Sequence, residues 1–490
     1  MISDNFWCIS FIMIMMSFLG SCNTENQSNE GDSSNPNIVI LFADDMGYGD
    51  VGAYNKESRI STPHIDRLAR GGMRFMDAHA PGAVCHPSRY GLLTGRYPFR
   101  TDVSVWPHKP VIDENRMTVA SLLQSEGYRT AMVGKWHLGF DESGGYSEPL
   151  PGGPVDRGFD RFFGIRASTD IPPYFYIDGN QAVTPPTDSI GSNSSEGWSP
   201  IQGAFWRAGG IAPELQLKEV LPRFTEEAVN IIHSHGAQQS GSPLFLYVAL
   251  PAPHTPWLPA EVYEGQSEAG MYGDFMTMVD AKLGEILGAL RQSGMDKETL
   301  VIFTSDNGPV WYDKNVDQLG HDSSGGLRGM KGDAYEAGHR MPFIVRWPGV
   351  VSGGSVTEQT VSFTDLLATF ADIIDAELPD DAGEDSFSLL PVLRGEQDEQ
   401  DAVRPPVVSV SSRGVKSIQD GRWKLIEGLG SGGFSKPSHV EPGPGDPQGQ
   451  LYNLAEDPAE QNNLWQDHPD VVQRLRKKLR AFEQRGRSRP

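Results

Sequence analysis

Two short apolar runs in this chain each end on paired hard oxygen donors, and that arrangement limits the folds open to it. Asn37 to Phe42 (N-I-V-I-L-F) leads into Asp44-Asp45, and Leu300 to Thr304 leads into Asp306-Asn307. Runs this short and this uniformly apolar predict strands buried on both faces. Leu244 to Leu250 predicts a third such strand and Tyr128 to Val133 a fourth. Between Leu250 and Leu300, the residues Tyr272, Phe275, Val279, Leu283, Ile286 and Leu290 recur at helical spacing, which predicts an amphipathic helix. Pro63 to Ala69 and Thr118 to Ser125 read as further helices. Strands alternating with helices predict an α/β body on a mixed, largely parallel sheet. Such sheets bind ligands at the carboxyl ends of their strands, where the acidic pairs fall.

Beyond Glu396 the pattern changes. Val407 to Ser411, Val415 to Gln419, Trp423 to Glu427 and Gln450 to Leu454 read as short strands between turns, and Asp470 to Arg485 as a closing helix. The predicted organisation is a large α/β/α domain over 36–396 and a small α+β domain over 397–490, with a short antiparallel sheet and a terminal helix. The 490 residues carry 41 Lys and Arg against 64 Asp and Glu, a net charge of −23, with 38% hydrophobic and 21% charged residues. That composition excludes a disordered chain, a collagen and a polytopic membrane protein. Its acidity argues against a nucleic-acid partner, but screening beyond about 8 Å leaves room for a local basic pocket that holds an anion.

Phe6 to Leu19 is apolar but shorter than the roughly 20 residues a membrane span needs, and reads as an export signal. Leu19-Gly20-Ser21-Cys22 resembles a bacterial lipobox, after which Cys22 carries lipid. The expectation is a signal over 1–21, a polar tether over 22–35, and an exported protein in the periplasm or at the cell surface. Its contact with the outer membrane would run only through that anchor. A plain cleaved signal is the alternative, and Met1 to Asn5 lacks the usual basic residue. Of the three cysteines, Cys22 and Cys85 remain after cleavage, so a lipidated Cys22 leaves no intramolecular disulfide and Cys85 needs another role.

Cys85-His86-Pro87-Ser88-Arg89 supplies one. Pro87 suits the first turn of a helix, and Cys85 and Arg89 then lie one turn apart at a helix start that favours anions. Taken alone, the segment reads equally as a buried structural cysteine beside an arginine. Asp44, Asp45, Asp306 and Asn307 are hard ligands suited to Ca²⁺, with Mg²⁺ as the alternative. Lys135 and His137 stand two apart at a strand end, Lys331 lies in a glycine-rich loop, and His254 sits in the rigid P-A-P-H-T-P turn.

The segment Cys85 to Arg89 with Leu92-Leu93-Thr94-Gly95-Arg96 resembles the signature of type I sulfatases. Gly127 to His137 resembles a second signature of that family. Asp44-Asp45, Asp306-Asn307-Gly308, Lys331-Gly332 with Tyr335-Glu336, and Leu454 to Leu464 match in type and order, so the resemblance spans about residues 36–490. It implies an alkaline-phosphatase-like fold and a formylglycine (3-oxoalanine) made from Cys85 by a separate maturation enzyme. The metal would be held by Asp44, Asp45, Asp306, Asn307 and the modified Cys85. The resemblance further implies that one formylglycine hydroxyl attacks the sulfur, with Asp306 as base. Arg89, Lys135 and Lys331 would hold the sulfate, His254, with Lys331 as a possible helper, would protonate the leaving alcohol, and His137 would take the proton that releases the sulfate. His86, where a small residue is usual, and Ala337, where glycine is frequent, depart from the pattern.

The lipobox joined to this resemblance points to a sulfated polysaccharide or oligosaccharide as substrate. Asp141 to Glu214, the loop after His254 and Pro309 to Arg328 are the expected specificity segments. Their Tyr174, Phe175, Tyr176, Trp206, Trp257, Trp311 and Tyr312 read either as sugar platforms or as core, and Arg207, His321 and Arg328 either as anion readers or as surface charge. A formylglycine-dependent phosphonate or phosphodiester hydrolase is the alternative within the superfamily. A non-catalytic surface glycan-binding lipoprotein is the alternative outside it.

Overall fold

A computed structural model describes residues 35–238 and 241–490; the predicted signal, Cys22 and nearly all of the tether lie outside these residues. The first apolar run becomes β1 (Asn37–Asp44), which extends far enough that Asp44 is its last residue. β2 (Met73–His79), β3 (Arg129–Lys135) and β4 (Arg161–Ile165) follow, then a small hairpin of β5 (Ile177–Asp178) and β6 (Gln181–Ala182). β7 (Asp188–Ile190) and β8 (Gly209–Ile211) pair as a separate ribbon. With β9 (Leu244–Pro253), β10 (Thr299–Ser305), β11 (Phe343–Arg346) and β12 (Ser355–Ser362), a ten-stranded sheet forms in the order β12-β2-β11-β10-β1-β9-β3-β4-β5-β6.

β10, β1, β9, β3 and β4 are parallel neighbours, whereas β11 runs antiparallel to both β10 and β2. The sheet is therefore mixed, with a parallel centre, as expected. All of β9 and β10, and β1 from Ile38 onward, are buried, which is why their sequences do not alternate. Two groups of helices flank the sheet. α1 (Pro63–Arg70), α4 (Val220–Gln238) and α5 (Gly270–Gln292) pack together, and α2 (Cys85–Thr94) and α3 (Val119–Ser125) pack with the helix Leu366–Ile373. Sequence reasoning missed α4, β2, β4, β11 and β12.

The C-terminal strands β13 (Val407–Val410), β14 (Lys416–Asp420), β15 (Trp423–Ile426) and β16 (Gln450–Asn453) form an antiparallel sheet in chain order. The terminal helix Pro469–Arg485 buries Leu475, Leu479 and Phe482 against Val408, Ile418, Leu425 and Leu451. Tyr97 inserts into this cluster from the N-terminal part of the chain, and its hydroxyl accepts the Val408 N–H at 3.1 Å. Asn35 to Pro490 form one compact unit.

A buried ion cluster joins the two sheets. Lys424 on β15 is 1% exposed and places Nζ 2.8 Å from Glu336 Oε1 and 2.8 Å from Glu460 Oε1. Glu336 also accepts from Arg340 at 2.5 Å, and Arg340 bonds Asp77 of β2 at 2.7 Å. Replacing Lys424 with Met leaves the buried Glu460 without its cation while Glu336 keeps Arg340, and removal of one partner from a buried pair costs about 3–5 kcal/mol. The Lys424→Met variant should show a urea unfolding midpoint lowered accordingly; an unchanged midpoint would show that the cluster does not hold the sheets together.

Candidate active site

The four central parallel strands end side by side, and each end delivers polar groups. Asp44 and Asp45 finish β1, Asp306 and Asn307 follow β10, Lys135 ends β3 with His137 two residues on, and His254 follows β9. Neighbouring strands stand about 4.8 Å apart, so four strand ends span roughly 15 Å. Two glycines make the approach possible. A Cβ on Gly134 (φ +118°) would lie 1.9 Å from the Ala249 carbonyl oxygen, and one on Gly308 would lie 1.7 Å from that of Ala337. Asp45 and His137 adopt left-handed backbone, with φ of 65° and 60°. Such conformations cost about 1–3 kcal/mol for residues other than glycine and cluster at functional sites.

α2 begins at Cys85 and is almost wholly buried, which fixes the cysteine and Arg89 one turn apart. Cys85 is 4% exposed, with Sγ 3.5 Å from Asp44 Oδ1 and 3.4 Å from Lys331 Nζ. Burial, and after it the Asp306 charge, pushes the thiol well above its ordinary range. Lys331 is carried by a loop whose backbone is tied down at Pro309 and Ala83, and its Nζ donates to Asp45 Oδ1 at 2.5 Å. Burial opposes the Lys331 charge, but Asp45 and its neighbours outweigh burial and raise its pKa. Lys135 Nζ donates to Asp44 Oδ2 at 2.5 Å. Burial also opposes the Asp44 carboxylate, which Lys135, His254 and Arg89 nonetheless hold well below the usual range. Burial and the Asp44 charge push Asp306 up to about 6.

The site residues expected from the sequence all converge here. Arg89 turns its guanidinium onto Asp306, with Nε at 3.2 Å and Nη2 at 2.7 Å from Oδ2, while Nη1 donates to the Lys135 carbonyl at 3.0 Å. Its side chain is 1% exposed. His254 Nδ1 donates to the Thr255 carbonyl at 2.6 Å, which leaves Nε2 turned toward Asp45 Oδ2, 3.7 Å away. His137 is buried with Nδ1 unpartnered, and burial followed by the Lys135 charge keeps it neutral.

The structure also decides between several paired readings. His321 is fully buried and bonds Asp50 at 2.8 Å, so it is neither an anion reader nor surface charge, whereas Arg328 is exposed, as the surface reading has it, and lies over the Tyr335 ring with a bond to the Glu460 carbonyl. Tyr174, Phe175, Trp257 and Trp311 are core residues. Sequence reasoning missed Trp106, whose ring meets His137 edge-on at 4.4 Å and stacks on His86 at 5.6 Å. It also missed Asp170, 3.9 Å from His254 Nδ1. No local sequence pattern marks either residue.

Asp44, Asp45 and Asp306 supply carboxylate oxygens, and Asn307 holds its amide oxygen buried without a partner while its nitrogen donates to Asp45 at 2.7 Å. Hard oxygens converging around an orphaned carbonyl fit a hard divalent cation. The His79, Glu336 and His339 cluster does not, because it offers two imidazoles and a single carboxylate, and the two imidazole Nδ1 atoms already face each other at 3.0 Å.

A buried cysteine ringed by cations and hard ligands at the ends of parallel strands suits a hydrolase of anionic esters. The chain belongs to the sulfatase family, whose model, described as Sulfatase, matches residues 36–376. It is 34% identical to an N-acetylgalactosamine-6-O-sulfatase of Bacteroides thetaiotaomicron, covering 96% of this chain and 98% of that one. It is also 34% identical to human arylsulfatase A, covering 90% and 86%. Among solved structures, a Bacteroides thetaiotaomicron protein described with the metabolism of multiple glycosaminoglycans aligns with a TM-score of 0.81 at 34% identity, over 92% and 100% of the two chains. A Pseudoalteromonas sulfatase aligns at 0.71 and 25% identity, over 91% and 90%. The protein is a sulfuric ester hydrolase with the fold expected from its sequence.

The donor set carries its own test. Ca²⁺ at about 100 times its Kd should stabilise metal-free protein by about 2.7 kcal/mol, and the Asn307→Ala variant should lose most of that gain in thermal melts. Equal melting with and without Ca²⁺ in the wild type would refute the assignment.

Proposed function

We propose that the protein removes sulfate from a sulfated carbohydrate, with a 6-sulfated N-acetylgalactosamine residue as the substrate class to test first, through a formylglycine made from Cys85. The observation that carries this reading is the placement of Cys85 within 3.5 Å of Asp44 and 3.4 Å of Lys331, beside unpartnered Asn307 Oδ1. The N-acetylgalactosamine 6-sulfate relative, which this chain matches along nearly its whole length, supports the sugar.

Asp44, Asp45, Asp306 and Asn307 would hold Ca²⁺, or Mg²⁺ in its place, which supplies positive charge for the sulfate oxygens. A maturation enzyme would convert Cys85, and the hydrated aldehyde supplies one hydroxyl for attack and a second for release. Lys135 and Lys331 bring the positive charge that a buried sulfate needs, in a dry site where such charge is most effective. Arg89 fixes Asp306 with two bonds to one oxygen, so that the carboxylate is oriented to accept a proton at the nucleophile. His254 turns Nε2 toward the site, placed to protonate the departing alcohol. His137, neutral with a free nitrogen, is placed to take the proton that accompanies sulfate release.

Protein in which peptide mapping finds position 85 lighter than cysteine should release sulfate from 6-sulfated N-acetylgalactosamine, read by ion chromatography, and Cys85→Ala should release none. Phosphodiester cleavage without sulfate release from any sulfated sugar would overturn the reading. We further propose an exported, lipid-anchored protein, on the strength of Leu19 to Cys22. Replacing Cys22 with Ser should move it from the membrane to the soluble fraction; unchanged membrane association would refute the anchor.

A further inference from the structure

Accepting the sulfated sugar as substrate, we infer that Asp170 and Arg207 form the subsite that reads the hydroxyls of the sugar ring. The alcohol leaves on the His254 side of the centre, because His254 is the group placed to protonate it. The sugar ring therefore lies along that edge. Asp170 adjoins His254 there, with Oδ1 3.9 Å from Nδ1, and its side chain is 4% exposed. That oxygen is buried and has no hydrogen-bond partner. An unpaired buried acceptor is costly unless a ligand satisfies it.

Asp170 Oδ2 is taken by Arg207 Nη1, which also donates to the Asp170 carbonyl at 3.3 Å. Arg207 is 47% exposed, and among the described residues its Nε and Nη2 have no acceptor. The guanidinium rests over the Phe205 ring at 5.1 Å, and the backbone that carries it is tied down by the Tyr174 hydroxyl, which donates to the Arg207 carbonyl at 2.7 Å. The pair thus offers one free acceptor and free donors in fixed positions, running from solvent to His254. A sugar hydroxyl both donates and accepts, so neighbouring hydroxyls, or a hydroxyl beside an amide carbonyl, satisfy both residues together. A flat aryl sulfate engages neither.

The test uses matured enzyme with 6-sulfated N-acetylgalactosamine and 4-nitrophenyl sulfate as paired substrates. For Arg207→Ala, and separately for Asp170→Asn, the ratio of sugar to aryl kcat/KM should fall about thirty-fold, as expected for the loss of hydrogen bonds to charged groups. Arg207→Lys should recover only part of the loss, since a lysine cannot reproduce the planar fork. Equal falls on both substrates would overturn the inference and assign Asp170 to holding His254. No fall on either would overturn it as well. Failure of the underlying reading is separately visible, because wild-type enzyme would then cleave the aryl sulfate and no sulfated sugar.

Discussion

Three carboxylates buried at two adjacent strand ends set the terms for everything around them. Asp44, Asp45 and Asp306 repel one another in a dry environment, where unit charges 4 Å apart interact by about 4 kcal/mol at an effective dielectric of 20. Each is met by a cation from a different part of the chain: Lys135 from β3, Lys331 from a loop beyond β10, and Arg89 from α2. The site can therefore form only when the sheet, the helix and the loop are all in place. The same charges that permit folding leave a centre suited to an anion, so stability and chemistry draw on one set of contacts.

The motifs shared with sulfatases divide into two physical jobs. Those at the strand ends gather carboxylates, lysines and imidazoles into one buried centre. Tyr335-Glu336 and the closing Leu454 to Leu464 segment do something else: Glu336 and Glu460 meet on Lys424, and the Glu336 N–H donates to Glu460 at 2.7 Å. They lock the C-terminal sheet against the loop that carries Lys331. Positions far from Cys85 thus bear on where Lys331 stands.

Much of this was legible in the sequence, for identifiable reasons. β1, β9 and β10 sit in the middle of the sheet, so burial on both faces made them uninterrupted apolar runs, and the acidic pairs marked their ends. β2 (M-R-F-M-D-A-H) was not legible because Arg74 and Asp77 interrupt it to serve ion pairs and backbone contacts. β12 lies at the sheet edge and reads as polar, and β11 has only four residues. α4 is a different case, since its Leu221, Phe224, Ala228, Ile231 and Ile232 follow helical spacing and were open to reading. In the site, residue types were legible but directions were not. His321 read either as an anion reader or as surface charge because its partner Asp50 lies 271 positions away, and Arg89 faces Asp306 across 217.

The subsite at Asp170 and Arg207 hangs on the connections between β4 and β8, while the reacting groups hang on strand ends that share a rigid sheet. This separation bears on inheritance. After a gene duplication, those connections can drift, lengthen or be exchanged without disturbing the charge balance at the centre. Descendants of such a chain are free to diversify in the sugars they accept while inheriting one unaltered way of breaking the ester.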